Sequence, residues 1–80
     1  MEKNLPTEGQ YYGGGGDSKI LILKILETEN NIRLLICLRY YEAHHVYSID
    51  TFPQSYFDEW FSGNKLGNFE FDDKSYRGLL

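Results

Sequence analysis

The sequence predicts an α+β fold: a small antiparallel sheet in the order β-β-β-α-β, with one aromatic-rich helix packed on it. Three observations lead there. Two neighbouring apolar runs, 19–28 and 32–41, hold eleven of the seventeen Ile, Leu and Val residues, so any core is built on this pair. A stretch from Thr51 to Phe61 carries aromatic residues at helical spacing. Shorter segments on either side of it alternate between apolar and polar residues, the period of a half-buried strand.

Each apolar run has the length of a strand and is rich in Ile, and the second adds two tyrosines. Asn30 and Asn31 lie between them and tolerate the left-handed backbone of a tight hairpin turn. The second run shows period two: Ile32, Leu34, Ile36, Leu38 and Tyr40 are apolar, whereas Arg33 and Arg39 interrupt the opposite face. With the turn centred on the two asparagines, Ile25 faces Ile36, Leu23 faces Leu38 and Leu21 faces Tyr40. Lys19 then falls opposite Glu42, a favourable cross-strand pair. The expected buried face is therefore Leu21, Leu23, Ile25, Leu34, Ile36, Leu38 and Tyr40. The other face holds Ile20, Ile22, Leu26, Leu35, Cys37 and Tyr41, broken by Lys24, Arg33 and Arg39; it is expected either to be covered by a helix or a closing barrel or to be a contact surface for a partner or a second copy.

A third strand is expected over 44–50, where His45, Tyr47 and Ile49 alternate with polar residues. The helix signal follows at once. Thr51 and Gln54 have the spacing of a capping box, and Pro53 suits a first helical turn. Phe52, Tyr56 and Trp60 recur every four residues with Phe57 and Phe61 beside them, a broad aromatic stripe that should cover the apolar hairpin face. Gly63 and Asn64 mark the expected stop. Phe69 and Phe71 alternate with Asn68, Glu70 and Asp72, which predicts a short final strand over 65–72.

The eighty residues make one domain, 19–80, preceded by a glycine-rich arm over 1–18. The four glycines at 13–16 are expensive to order and bring no side-chain packing, so the arm is expected to be flexible, with Tyr11 and Tyr12 as anchors. They do not form a phosphate loop, which needs a preceding strand and a following helix. The first ten residues are polar, and neither a secretory leader nor a membrane span is expected. The single cysteine, Cys37, fits a reducing interior, and the expected location is the cytoplasm of a bacterial or host cell.

Candidate chemistry is sparse. His44 and His45 are adjacent, so on a strand they point to opposite faces and do not share a metal. Cys37 lies mid-strand, where a thiol nucleophile has poor access. The late acidic residues Asp58, Glu59, Glu70, Asp72 and Asp73 read as a solvated face or a charged contact surface. No cofactor, metal or catalytic activity is expected. The net charge of −4 opposes phosphate contacts, so direct nucleic-acid binding is not expected either.

Aromatic residues make up 16% of the chain, and stiff amphipathic rings are enriched at recognition surfaces. The reading is a small acidic non-enzymatic protein-binding module. Phage and mobile-element inhibitors of bacterial defence proteins share its size and charge, which is an analogy of form. The expected contact residues are Tyr11, Tyr12, Ile20, Ile22, Tyr41, Asp58, Glu59, Glu70, Asp72 and Asp73, with a homodimer as one use of them. The alternative is a binder of a small nucleotide-like ligand in an aromatic pocket.

Overall fold

A computed structural model describes residues 5–14, 18–61, 65–67 and 70–71. Strands β1 (Tyr11–Gly13), β2 (Ser18–Glu27), β3 (Arg33–Tyr41) and β4 (Val46–Pro53) form one antiparallel sheet in sequence order. Helix α1 (Gln54–Trp60) packs on it, so the α+β class holds with the order β-β-β-β-α.

The first correction concerns the arm. Tyr11–Gly13 is a strand paired with β2, Tyr12 opposite Ile20, and Tyr12 has no exposed surface. Its ring meets Phe57 edge-on at 4.8 Å, and its hydroxyl donates to the Leu5 carbonyl at 3.1 Å. An aromatic pair is a good strand element, and one buried ring offsets the ordering cost that argued for flexibility. Gly14 adds a reason for its own residue type. A Cβ there would lie 2.2 Å from the Phe61 ring, so the absent side chain is what lets the core close.

The second correction concerns the register of the β2–β3 hairpin, and through it the choice of core face. Asn31 does take the left-handed conformation, at φ 61°. The loop, however, closes around Thr28: its N–H donates to the Ile32 carbonyl, its carbonyl accepts from Asn31 N, and its Oγ1 accepts from Asn30 N and Ile32 N. Glu27 therefore pairs with Arg33 and Ile25 with Leu35. An irregularity between Ile22 and Lys24 then shifts the pairing again, giving Ile22 opposite Cys37 and Leu21 opposite Leu38. Such a bulge carries an extra residue on one strand and re-aims the side chains beyond it. Ile20, Ile22 and Ile25 thereby share the face of Leu35 and Cys37. Lys19 still forms its ion pair with Glu42, although its backbone partner is Tyr40.

The mixed face, covered by the helix, carries the larger core: Ile20, Ile22, Leu35 and Cys37 are buried with Tyr12, Phe52, Phe57 and Phe61. On the opposite face Leu38 is fully buried, as expected, whereas Leu21, Leu23, Leu34 and Ile36 are only half-buried. Strand β4 explains the choice. Phe52 pairs with Leu35 on the core face and α1 starts two residues later, so the chain turns over that side.

The helix begins later than the capping-box reading placed it. Thr51 lies in β4 opposite Ile36, Pro53 is the N-cap, and no side chain caps the helix. The expected stop at Gly63 and Asn64 lies outside the described residues. Of the final strand, Lys65 forms a single bridge with Tyr12, and Leu66 N donates to the Tyr11 carbonyl at 2.9 Å. Phe69 and Asp72 lie outside the described residues. Phe71 is buried on the face away from the helix, its ring against Tyr11, Tyr40 and Tyr47.

Candidate functional site

Among the described residues, the densest polar arrangement lies on the helix side of the sheet, around Arg39. The alternation of β3 sends Arg39 to the core face with Cys37 and Leu35, diagonal to Asp50 on β4, which pairs with Cys37. Its side chain is only 16% exposed, so the charge needs partners. Nη1 donates to Asp50 Oδ2 at 3.5 Å and to the Tyr56 hydroxyl at 3.2 Å, and Nη2 donates to Ser18 Oγ at 3.1 Å. Tyr41 and Ser48 donate to the two oxygens of the same carboxylate. The guanidinium lies 4.8 Å from the Tyr41 ring centre and 5.6 Å from that of Phe61, within cation–π range. Arg39 Nε is buried without a partner among the described residues.

The electrostatics follow. Burial opposes the Arg39 charge, yet the Tyr56 hydrogen bond and the proximity of Tyr41, Tyr56 and Asp50 outweigh it, so its pKa is raised above the ordinary guanidinium value. Burial and the hydrogen bond to Asp50 raise the Tyr41 phenol, with Arg39 pulling the other way. Next to the cluster, burial pushes the Cys37 thiol up to about 12, with Asp50 adding to the rise and Arg39 opposing it. Cys37 is therefore held as a thiol, inert as a nucleophile at neutral pH.

Above the guanidinium opens a cleft of about 240 Å³ lined by Arg39, Tyr56, Trp60 and Phe61. Helix α1 builds its wall. Phe57 and Phe61 anchor the helix in the core, and Tyr56 and Trp60, at i and i+4, present their rings along its rim. Trp60 is 47% exposed, a large apolar surface left at the edge of a pocket with a charged floor. A wider hollow of about 510 Å³ lies beside the β2–β3 turn, lined by Ile32, Arg33, Pro53, Gln54 and Asp58 among others, but no aromatic ring borders it. The cleft is the better-built site.

The residues expected to make contacts are scattered by the fold. Tyr12, Ile20 and Ile22 are core and unavailable to a partner: the register of the hairpin turns Ile20 and Ile22 under the helix, and Tyr12 follows by pairing with Ile20 and packing on Phe57. Tyr11 is half-buried against Phe71. Tyr41 joins the Arg39 cluster. Asp58 is half-buried on α1, Glu59 and Glu70 are exposed, and Asp72 and Asp73 lie outside the described residues. His45 takes a left-handed conformation in the turn at 42–45 and shares a hydrogen bond with Tyr40, and among the described residues no three His, Cys, Asp or Glu side chains gather as a metal site requires. What residue-by-residue reading misses is Arg39 with Asp50. The available signal is an arginine inside an apolar strand with an acid one strand later, a pair that burial forces together.

No protein-family model, curated protein or solved structure matches this chain.

Proposed function

We propose that this chain is a small acidic non-enzymatic protein-binding module whose contact surface is centred on the Arg39–Tyr56–Trp60–Phe61 cleft. The observation that carries the reading is Trp60, nearly half exposed over a pocket floored by a guanidinium. Trp, Tyr and Arg are the residue types that dominate binding energy at protein interfaces, and they do so where a pocket lets a side chain be fully desolvated. Held by Asp50, Tyr56 and Ser18, Arg39 is pre-organised, which reduces the ordering cost of binding. The size and net charge of −4 suit an inhibitor of a bacterial defence protein carried by a phage or mobile element, a role that rests on those two properties.

The test is capture from the source cell on immobilised wild type and Trp60→Ala. The expected result is a partner held by the wild type and lost in the variant, with the circular dichroism of both unchanged. Equal capture by both removes the cleft from the interface. A second reading, a nucleotide-like ligand in the same cleft, is favoured by rings beside a guanidinium, which suit a planar anionic group. A thermal-shift screen against nucleotides separates the two, since only a bound ligand raises the melting temperature.

A further inference from the structure

We infer that the Arg39 cleft takes the C-terminal carboxylate of a partner chain whose last side chain is apolar, the carboxylate on the guanidinium and the side chain against the rings. The inference rests on the reading of this cleft as a protein-contact site and names the group it holds.

What the cleft offers is a set of donors short of acceptors. Arg39 carries five N–H groups and no acceptor. Three are used, two from Nη1 to Asp50 and Tyr56 and one from Nη2 to Ser18. Among the described residues one N–H of Nη2 is left over, and Nε is buried without a partner. The Tyr56 oxygen accepts from Arg39, so its own proton remains to be donated. Trp60 adds an indole N–H, which is a donor only. Phe61 brings no polar group, and none of the four lining side chains has a carboxylate or amide oxygen. Such a site is completed by an acceptor. A carboxylate, with two oxygens in one plane, matches an arginine N–H and a phenol O–H at once.

Asp50 does not fill this role. It reaches Nη1 at 3.5 Å, the long end of a hydrogen bond, and also accepts from Tyr41 and Ser48. It is not among the residues that line the cleft.

Charge and size then select among acceptors. Asp50 already balances the guanidinium once, Glu59 is exposed beside Trp60, and the chain carries a net charge of −4. A phosphate group would bring close to two negative charges into these surroundings, whereas a carboxylate brings one. The cleft holds about 240 Å³, below the roughly 300–1,000 Å³ of sites that enclose a drug-sized molecule. That is room for one residue. A terminal residue carries its carboxylate and its side chain on the same Cα, so one residue reaches the guanidinium and also covers the rings of Tyr56, Trp60 and Phe61. An internal Asp or Glu supplies the carboxylate alone, and the rings then need a second residue. Trp60, 47% exposed, is the surface that gains the cover. Capture of a chain-terminal carboxylate by donors already in place is a recurring mode of peptide recognition.

Trp60 is the single tryptophan, so its fluorescence reports the cleft in the unmodified full chain. The probes are N-acetyl-Gly-Gly-Phe with a free carboxylate and the same peptide as its C-terminal amide. The acid should change Trp60 emission saturably, and the amide should bind at least about tenfold more weakly, having lost the charge-assisted pair. Tyr56→Phe should weaken the acid several-fold with unchanged circular dichroism. The acid–amide contrast uses the wild type, so the test does not depend on that variant folding well. Equal binding of acid and amide overturns the inference. So does N-acetyl-Gly-Asp-Phe amide, an internal acid, binding as tightly as the terminal one, or adenosine monophosphate binding more tightly than either. No binding of any peptide at millimolar concentration overturns it as well. If Trp60→Ala then still loses a captured partner, the cleft remains a protein-contact site and only the terminal carboxylate is wrong; equal capture by wild type and Trp60→Ala ends both readings.

Discussion

Replacing Tyr12 by alanine asks whether the N-terminal segment belongs to the folded domain. Tyr12 has no exposed surface and packs edge-on against Phe57. A buried Tyr removes on the order of 150–250 Å² from water, which at about 25 cal/mol per Å² is roughly 4–6 kcal/mol. The unfolded chain already buries part of that area, and a discount of 10–40% brings the figure to about 3–5 kcal/mol, the range seen when large aromatic side chains are truncated in cores. The hydroxyl bond to Leu5 adds about 1 kcal/mol, which Tyr12→Phe removes by itself. An eighty-residue domain has a total stability of about 4–12 kcal/mol, so Tyr12→Ala consumes much of it. Urea melts followed by circular dichroism are the assay. With a slope near 1 kcal/mol per M for a chain this small, the midpoint should fall by about 3 M, or the protein should be unfolded without denaturant. Tyr12→Phe should lose about 1 M. A Tyr12→Ala midpoint within about 0.5 M of wild type would refute the docking of β1 and restore the picture of a flexible arm.

Three further perturbations check the register, the close approach at Gly14 and the buried thiol. Ile22→Ala should cost about 2–5 kcal/mol and Leu23→Ala distinctly less, since Ile22 is buried and Leu23 half-buried; the reverse order in urea melts would restore the register without the bulge. Gly14→Ala should destabilise by about 1–3 kcal/mol, because the new Cβ meets the Phe61 ring and the ring must move, and an unchanged melt would mean that it moves at no cost. Cys37 titrates at 9.0 when unfolded and near 12 when folded, so the native state holds its proton longer. The stability it supports is present below pH 9.0 and is lost as pH rises toward 12, by at most about 4 kcal/mol at about 1.4 kcal/mol per pH unit. Cys37→Ala should flatten that decline, and thiol labelling of the wild type at pH 8 should proceed only as fast as the protein unfolds.

The sequence alone determined that two Ile- and Leu-rich runs make a hairpin, that a left-handed residue turns it, and that an aromatic helix follows and packs on the sheet. Each of these rests on near neighbours in the chain: period two in 32–41, an asparagine at the turn, rings four residues apart after Pro53. The core face needed the tertiary structure. The run from Ile20 to Leu26 is apolar on both sides, so its pattern does not resist a slip of one residue, and a loop closed on Thr28 plus a bulge at Leu23 moved the burial from Leu21 and Leu23 to Ile20 and Ile22. The same decision made the candidate site. Arg39 reads as an interruption of an exposed face until β4 brings Asp50 beside it, β2 brings Ser18 and α1 brings Tyr56. Those partners lie between 11 and 21 residues away along the chain, and a charge buried at that range is satisfied by topology, which local pattern does not encode. Tyr12 follows the same logic: beside four glycines it looks like a tether, and only the ring of Phe57, brought over the sheet by α1, gives it a place in the core.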